Sequence, residues 1–129
     1  MNRRTFVLAA TAIASLASTG ALALNVREIE IPGFAKAAAA GKPILIHVTA
    51  PWCGTCKIQK PIVSKLEKEP AFRDLVVFNV DFDTQKEILR DLQVQSQSTM
   101  IVFKGEREVD RSVGETDPAA IEALLKKAL

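Results

Sequence analysis

Pro51-Trp52-Cys53-Gly54-Thr55-Cys56-Lys57 contains both cysteines of a 129-residue chain, and the stretches on either side of it decide the fold. Upstream, Lys42-Pro43 opens the run Ile44-Leu45-Ile46-His47-Val48, short and rich in β-branched residues, as expected of a strand covered on both faces. Downstream, Ile58, Ile62, Val63 and Leu66 recur at the spacing of one helical face, which predicts a helix over about 53–67. Pro61 lies inside that helix and is expected to kink it, and Glu69-Pro70 marks its end. The two sulfurs therefore sit where a strand hands over to a helix.

Working outward, the same alternation continues. Residues 25–31 read as a short edge strand. Residues 32–40 read as a short helix, with Pro32 near its first turn and Gly41 ending it. Residues 75–81 form a second buried-type strand, followed by a helix over about 84–93 with Ile88, Leu89 and Leu92 inward. Residues 99–104 and 108–113 make a hairpin around Gly105-Glu106, the second strand alternating Val109 and Arg111. Asp117 and Pro118 are a cap and first-turn pair for a last helix, with Ile121, Leu124 and Leu125 inward. The order predicts an α/β fold, a central mixed sheet of four to five strands with helices on both faces. The length suits one domain, over 24–129, and no internal repeat is present.

Residues 1–23 read as an export signal peptide. Arg3 and Arg4 supply the basic region, an apolar run follows from Phe6, and Ala21-Leu22-Ala23 has the small-x-small cleavage pattern. The other reading is an uncleaved anchor of about 19 residues, diluted by Thr11, Ser15, Ser18, Thr19 and Gly20. Arg3-Arg4-Thr5-Phe6 also resembles a twin-arginine signal, so either that route or general secretion is open. Losing the leader takes two basic residues from the seventeen and leaves fifteen to match fifteen acids. A neutral mature chain gives no reason to expect nucleic acid as a partner, or stable membrane insertion after cleavage, and nothing in it demands more than a monomer.

Two cysteines only two residues apart are poor staples, because the benefit of a cross-link grows with the loop that it closes. Zinc or iron-sulfur ligation needs about four ligands, and the chain offers two sulfurs and one His, so a metal would have to be shared by two chains. Neither a metal nor a cofactor is expected. A three-residue step on a helix brings Cys53 and Cys56 to one face, within reach of each other. At the helix start, free backbone N–H groups and the dipole favour a thiolate on Cys53. Cys53 is thus the expected nucleophile and Cys56, deeper in the helix, the residue that resolves a mixed disulfide. Gly54 is expected to let the backbone turn tightly beside the sulfur, Thr55 to tune the thiolate, and Trp52 to shield it and meet a partner.

Trp52-Cys53-Gly54-Thr55-Cys56-Lys57, the strand 44–48 before it, Pro61, Asn79-Val80-Asp81, the run 99–105 and Val113-Gly114 together resemble thioredoxins over nearly the whole mature chain. The resemblance implies the thioredoxin fold and a redox-active disulfide, with Trp52, Gly54, Thr55, Ser98 and Thr99 as the substrate-contacting set. Three departures stand out. The buried acid that serves thioredoxins as proton relay to the inner cysteine is His47 here, a candidate relay in its own right. The accompanying Lys is Val77. The cis-proline before the strand at Thr99 is Ser98, and because a cis bond before a non-proline residue costs about 2.5–4 kcal/mol, the Gln97-Ser98 bond is open to being trans. The polar run 94–98 reads either as a solvated connection or as a segment that pairs with an extended peptide.

The expected activity is that of a periplasmic thiol-disulfide oxidoreductase acting on disulfide-containing exported proteins and recharged by a membrane-linked thiol donor. Disulfide oxidation or isomerisation on the same scaffold is the alternative among enzymes, since these activities share the fold. A metal-binding or redox-sensing adaptor using the paired cysteines is the alternative outside them.

Overall fold

A computed structural model describes residues 24–129; the export-signal reading of 1–23 lies outside the described residues. The elements run α1 (Phe34–Ala39), β1 (Pro43–Thr49), α2 (Gly54–Glu67), β2 (Val76–Asp81), α3 (Lys86–Asp91), β3 (Thr99–Lys104), β4 (Arg107–Val113) and α4 (Pro118–Lys126). The four strands form one sheet in the order β2-β1-β3-β4. β1 and β2 are parallel, with His47 opposite Asn79. β3 runs antiparallel to β1, placing Met100 opposite His47, and β4 antiparallel to β3. The parallel pair needs a crossover, which α2 supplies, while the antiparallel pair closes through the two-residue turn Gly105-Glu106. Gly105 has φ +61°, the left-handed conformation that such a turn requires.

The strand period of two sorts β1 between two cores. Ile44, Ile46 and Val48 join Phe34, Leu89, Leu92, Ile101 and Phe103 under α1 and α3. Leu45, between them, joins Val63, Leu66, Met100, Val102, Ile121 and Leu125 under α2 and α4. Phe34 packs edge-on against Phe78 and Phe103, with centroids 5.8 and 5.3 Å away. Each such fully buried side chain contributes about 1.5–3 kcal/mol of transfer free energy. The architecture is the expected mixed sheet covered on both faces.

Residues 25–31 are not the fifth strand. Val26–Glu28 is a single 3-10 turn capped by Asn25, whose side chain accepts from the Arg27 N–H, and Val26, Ile29 and Ile31 all point into the α1/α3 core. Their spacing of three, then two, does not match the strict alternation of a half-covered strand. Two helices are shorter than expected: α1 starts at Phe34 because Gly33 caps it in a left-handed conformation, and α3 starts at Lys86 because Asp81 and Gln85 close a turn first.

The inward face of α2 is the other correction. Cys56, Gln59, Val63 and Leu66 are buried, whereas Ile58 is 53% exposed. Cys56 sets the phase of the helix, and the steps 56, 59, 63 and 66 follow one face. Hydropathy alone favours Ile58 over Gln59.

Candidate active site

β1 ends at Thr49, and the turn through Ala50-Pro51-Trp52 delivers Cys53 as the residue that caps α2. Its backbone is extended, φ −80° and ψ 109°, while its carbonyl already accepts from the Lys57 N–H at 3.3 Å. The Cys56 N–H lies 3.1 Å from Cys53 Sγ, so the sulfur takes the place of the oxygen in an ordinary helix cap. Cys53 and Cys56 are joined as a disulfide with their Cα atoms 5.3 Å apart. A reduced Cys53 would hold its thiolate against the same N–H and the positive end of α2, which favours the charged form.

The disulfide is nearly closed off from solvent. Cys53 is only 2% exposed, and it packs with Cys56, Ala50 and Phe82 in a small apolar cluster. Trp52 stands out beside it at 58% exposure, its ring meeting Phe82 at a centroid distance of 6.3 Å. The indole N–H donates to Asp83, 2.9 and 3.1 Å from the two carboxylate oxygens. Gly54 has no positive φ, and a Cβ there would meet nothing within 4 Å. No tight turn therefore demands glycine at 54, and a Cβ there would stand in open space at the surface next to the buried Cys53.

Ser98 lies beside the pair. Its N–H donates to the Val48 carbonyl at 2.8 Å, the same oxygen that Cys56 Sγ approaches at 3.9 Å. All peptide bonds among the described residues are trans, including Gln97-Ser98, and Ser98 adopts φ +59° instead. Its hydroxyl donates to the Gln97 carbonyl at 2.6 Å. Thr99 next to it is buried and donates to the Ser96 carbonyl at 2.7 Å. Ser98 and Thr99 thus spend their polar groups on shaping the loop.

His47 is buried on the α2 side of β1, and its Nε2 lies 2.8 Å from Gln59 Oε1. Gln59 Nε2 donates to the carbonyls of Ser98, at 3.1 Å, and Glu115, at 2.9 Å. Because the amide nitrogen is the donor, Oε1 must accept, and His47 carries its proton on Nε2. His47 also lines a polar cleft of about 340 Å³ with Thr49, Lys60, Ser64, Glu67 and Asn79. Burial pushes its pKa below the ordinary value; the Gln59 bond pulls the other way, and Lys60 adds to the lowering. The hydrogen bond of His47 goes to Gln59, while Cys56 faces Val48.

The structure thus brings Trp52, Cys53, Gly54, Thr55, Cys56 and Ser98 to one end of the sheet, with His47 beneath. Gln59, Phe82, Asp83 and Glu115 escaped the sequence reading. Gln59 alone had a signal, since it stands three residues after Cys56 and four before Val63; Phe82, Asp83 and Glu115 arrive through loops whose course only the tertiary fold sets.

The chain matches the thioredoxin family model over residues 26–127. It is 33% identical over 96 residues to a thioredoxin of Coprinus comatus, covering 74% of this chain and 90% of that one. It is 41% identical over 80 residues to a thioredoxin of Mycobacterium tuberculosis, covering 62% and 68%. Among solved structures, Trxlp of Edwardsiella tarda superposes with a TM-score of 0.71 at 46% identity, covering 73% of this chain and 91% of that one. A sulfur-capped helix after a parallel strand, the disulfide within its first turn, and this agreement along almost the whole described length have one reading: the chain belongs to the thioredoxin family and is a protein-disulfide oxidoreductase built on the Cys53–Cys56 pair.

Proposed function

We propose that this protein works in the periplasm as a monomer, reducing or exchanging disulfides in exported proteins, and that a membrane-linked thiol donor restores its dithiol. The compartment is argued from Arg3, Arg4, the apolar run and Ala21-Leu22-Ala23. The direction is argued from Thr55, which brings no positive charge to stabilise a Cys53 thiolate and so favours a reducing pair. The observation that carries the chemistry is the Cys56 N–H aimed at Cys53 Sγ in the cap of α2.

In the forward step, the Cys53 thiolate attacks one sulfur of the substrate disulfide, and the other leaves as a thiolate that takes a proton. Cys56 loses its proton and attacks Cys53 Sγ, releasing the second substrate thiol. The substrate gains two electrons and two protons, and the protein ends as the Cys53–Cys56 disulfide. His47 is the candidate proton carrier for Cys56. With Nε2–H held by Gln59, the atom free to take a proton is Nδ1. Trp52 and the open surface at Gly54 are where a substrate chain would approach.

The test is insulin reduction by the purified protein with Cys53→Ser and Cys56→Ser variants, together with a redox titration. Cys53→Ser should be inactive, Cys56→Ser should accumulate a mixed disulfide, and the potential should be low. Turnover by Cys53→Ser would remove the nucleophile, and a high potential would turn the assignment to disulfide donation. Cell fractionation with the leader intact tests the compartment, and cytosolic retention would refute it.

A further inference from the structure

Gln59 lies one helical turn beyond Cys56 with no exposed surface, and its amide joins α2 to three other segments. Oε1 accepts from His47 on β1, while Nε2 donates to the carbonyl of Ser98, at the entry to β3, and to that of Glu115, after β4. A buried amide left unpaired is costly, so complete engagement means that each of these positions depends on the others. The Ser98 carbonyl also receives the Gly114 N–H at 3.1 Å, which uses its second lone pair and ties the two loops to each other. From the other side, the Ser98 N–H is held by Val48, whose carbonyl is also the neighbour of Cys56 Sγ. A serine does not rest at φ +59° by preference; bonds at both its N–H and its carbonyl hold it there.

We propose that Gln59 is a positioning residue for protein-disulfide exchange. It fastens the loop 95–98 and the loop 114–116 to the helix that carries the cysteines, so that both present a preset backbone to the polypeptide flanking a substrate disulfide. This rests on the exchange reading above. Gln59 touches neither sulfur and acts through Ser98 and Glu115. The gain lies in docking, because a loop already shaped loses less freedom when an extended chain settles on it. A small disulfide, which has no flanking chain, does not draw on that gain.

The test compares the full chain with Gln59→Met, which keeps length and apolar packing and removes both N–H donors. Insulin is the protein substrate and 5,5′-dithiobis(2-nitrobenzoate) the small one. KM for insulin should rise about fivefold or more, well beyond any change that the small disulfide shows, since the small disulfide reports only what loss of the His47 contact costs the dithiol itself. Gln59→Leu, which likewise removes both donors, should show the same split, and it serves if the Met variant folds poorly. Equal slowing of both substrates, an unchanged KM, or failure of both variants to fold overturns the proposal, since each makes the role of Gln59 purely structural or absent. If the unsubstituted chain reduces neither substrate, the exchange reading itself has failed; if it reduces both and the split is missing, only Gln59 is misassigned.

Discussion

The indole N–H of Trp52 donates to the carboxylate of Asp83, a bond across 31 residues that joins the turn before α2 to the turn after β2. The same turn holds Phe82, on which the Trp52 ring leans and over which Lys86 sits at 4.2 Å. The large exposed ring beside the disulfide is therefore oriented by a charged acceptor and an aromatic neighbour. In Asp83→Ala the ring should loosen. The chain has one Trp and no Tyr, so steady-state fluorescence anisotropy reads the ring directly. Anisotropy should fall, with a stability change below about 1 kcal/mol because the bond is solvent-exposed. Unchanged anisotropy would show that Phe82 alone sets the orientation.

Ser98 predicts a backbone effect of definite sign. Its φ of +59° suits glycine and opposes β-branched side chains. Ser98→Gly should lie within about 1 kcal/mol of the parent, the relief of strain offsetting the lost hydroxyl bond to Gln97. Ser98→Val should lose about 2 kcal/mol. Urea unfolding of the oxidised forms measures both, and a Val variant as stable as the Gly variant would deny the strain.

His47 predicts acid sensitivity. Its folded pKa is held below the unfolded value of 6.5, so the unfolded chain binds a proton first as pH falls. The contribution is complete above about pH 6.5 and declines below it until the folded pKa is passed, with a slope of at most about 1.4 kcal/mol per pH unit. Unfolding midpoints between pH 7.5 and 5 should fall more steeply in the parent than in His47→Leu, whatever the latter's absolute stability. Asp110, lowered by its hydrogen bond to Lys127, acts in a separate window: its contribution is present above about pH 3.8 and fades below that.

Asp117 caps α4 by accepting the Ala120 N–H at 3.1 Å, with Pro118 in the first turn. Asp117→Ala should cost about 1 kcal/mol in thermal or chemical unfolding. Insulin reduction should be unchanged at temperatures where the variant is folded. A loss of activity without a loss of stability would place α4 nearer the chemistry than its packing suggests.

The elements that were legible in the sequence are those whose local signals agree. β1 was visible from its β-branched run, the β3–β4 hairpin from Gly105-Glu106, α4 from Asp117-Pro118, and the disulfide from the three-residue step between Cys53 and Cys56. Residues 25–31 misled because three apolar residues within six positions fit a capped 3-10 turn as well as a short strand, and nothing local says which surface they will meet. Ile58 misled for a related reason: hydropathy ranked it above Gln59, and the helix phase was set by a cysteine instead.

By itself, the order of residues determined that a dithiol would stand at the start of a helix behind a buried strand, because spacing, caps and periodicity act within a few residues. Tertiary structure decided what surrounds that dithiol. His47 meets Gln59, Gln59 meets Ser98 and Glu115, and Trp52 meets Asp83, each across 12 to 56 residues. A buried amide or imidazole takes whichever partner the packed elements carry to it, and that choice is made only when the sheet and its helices close.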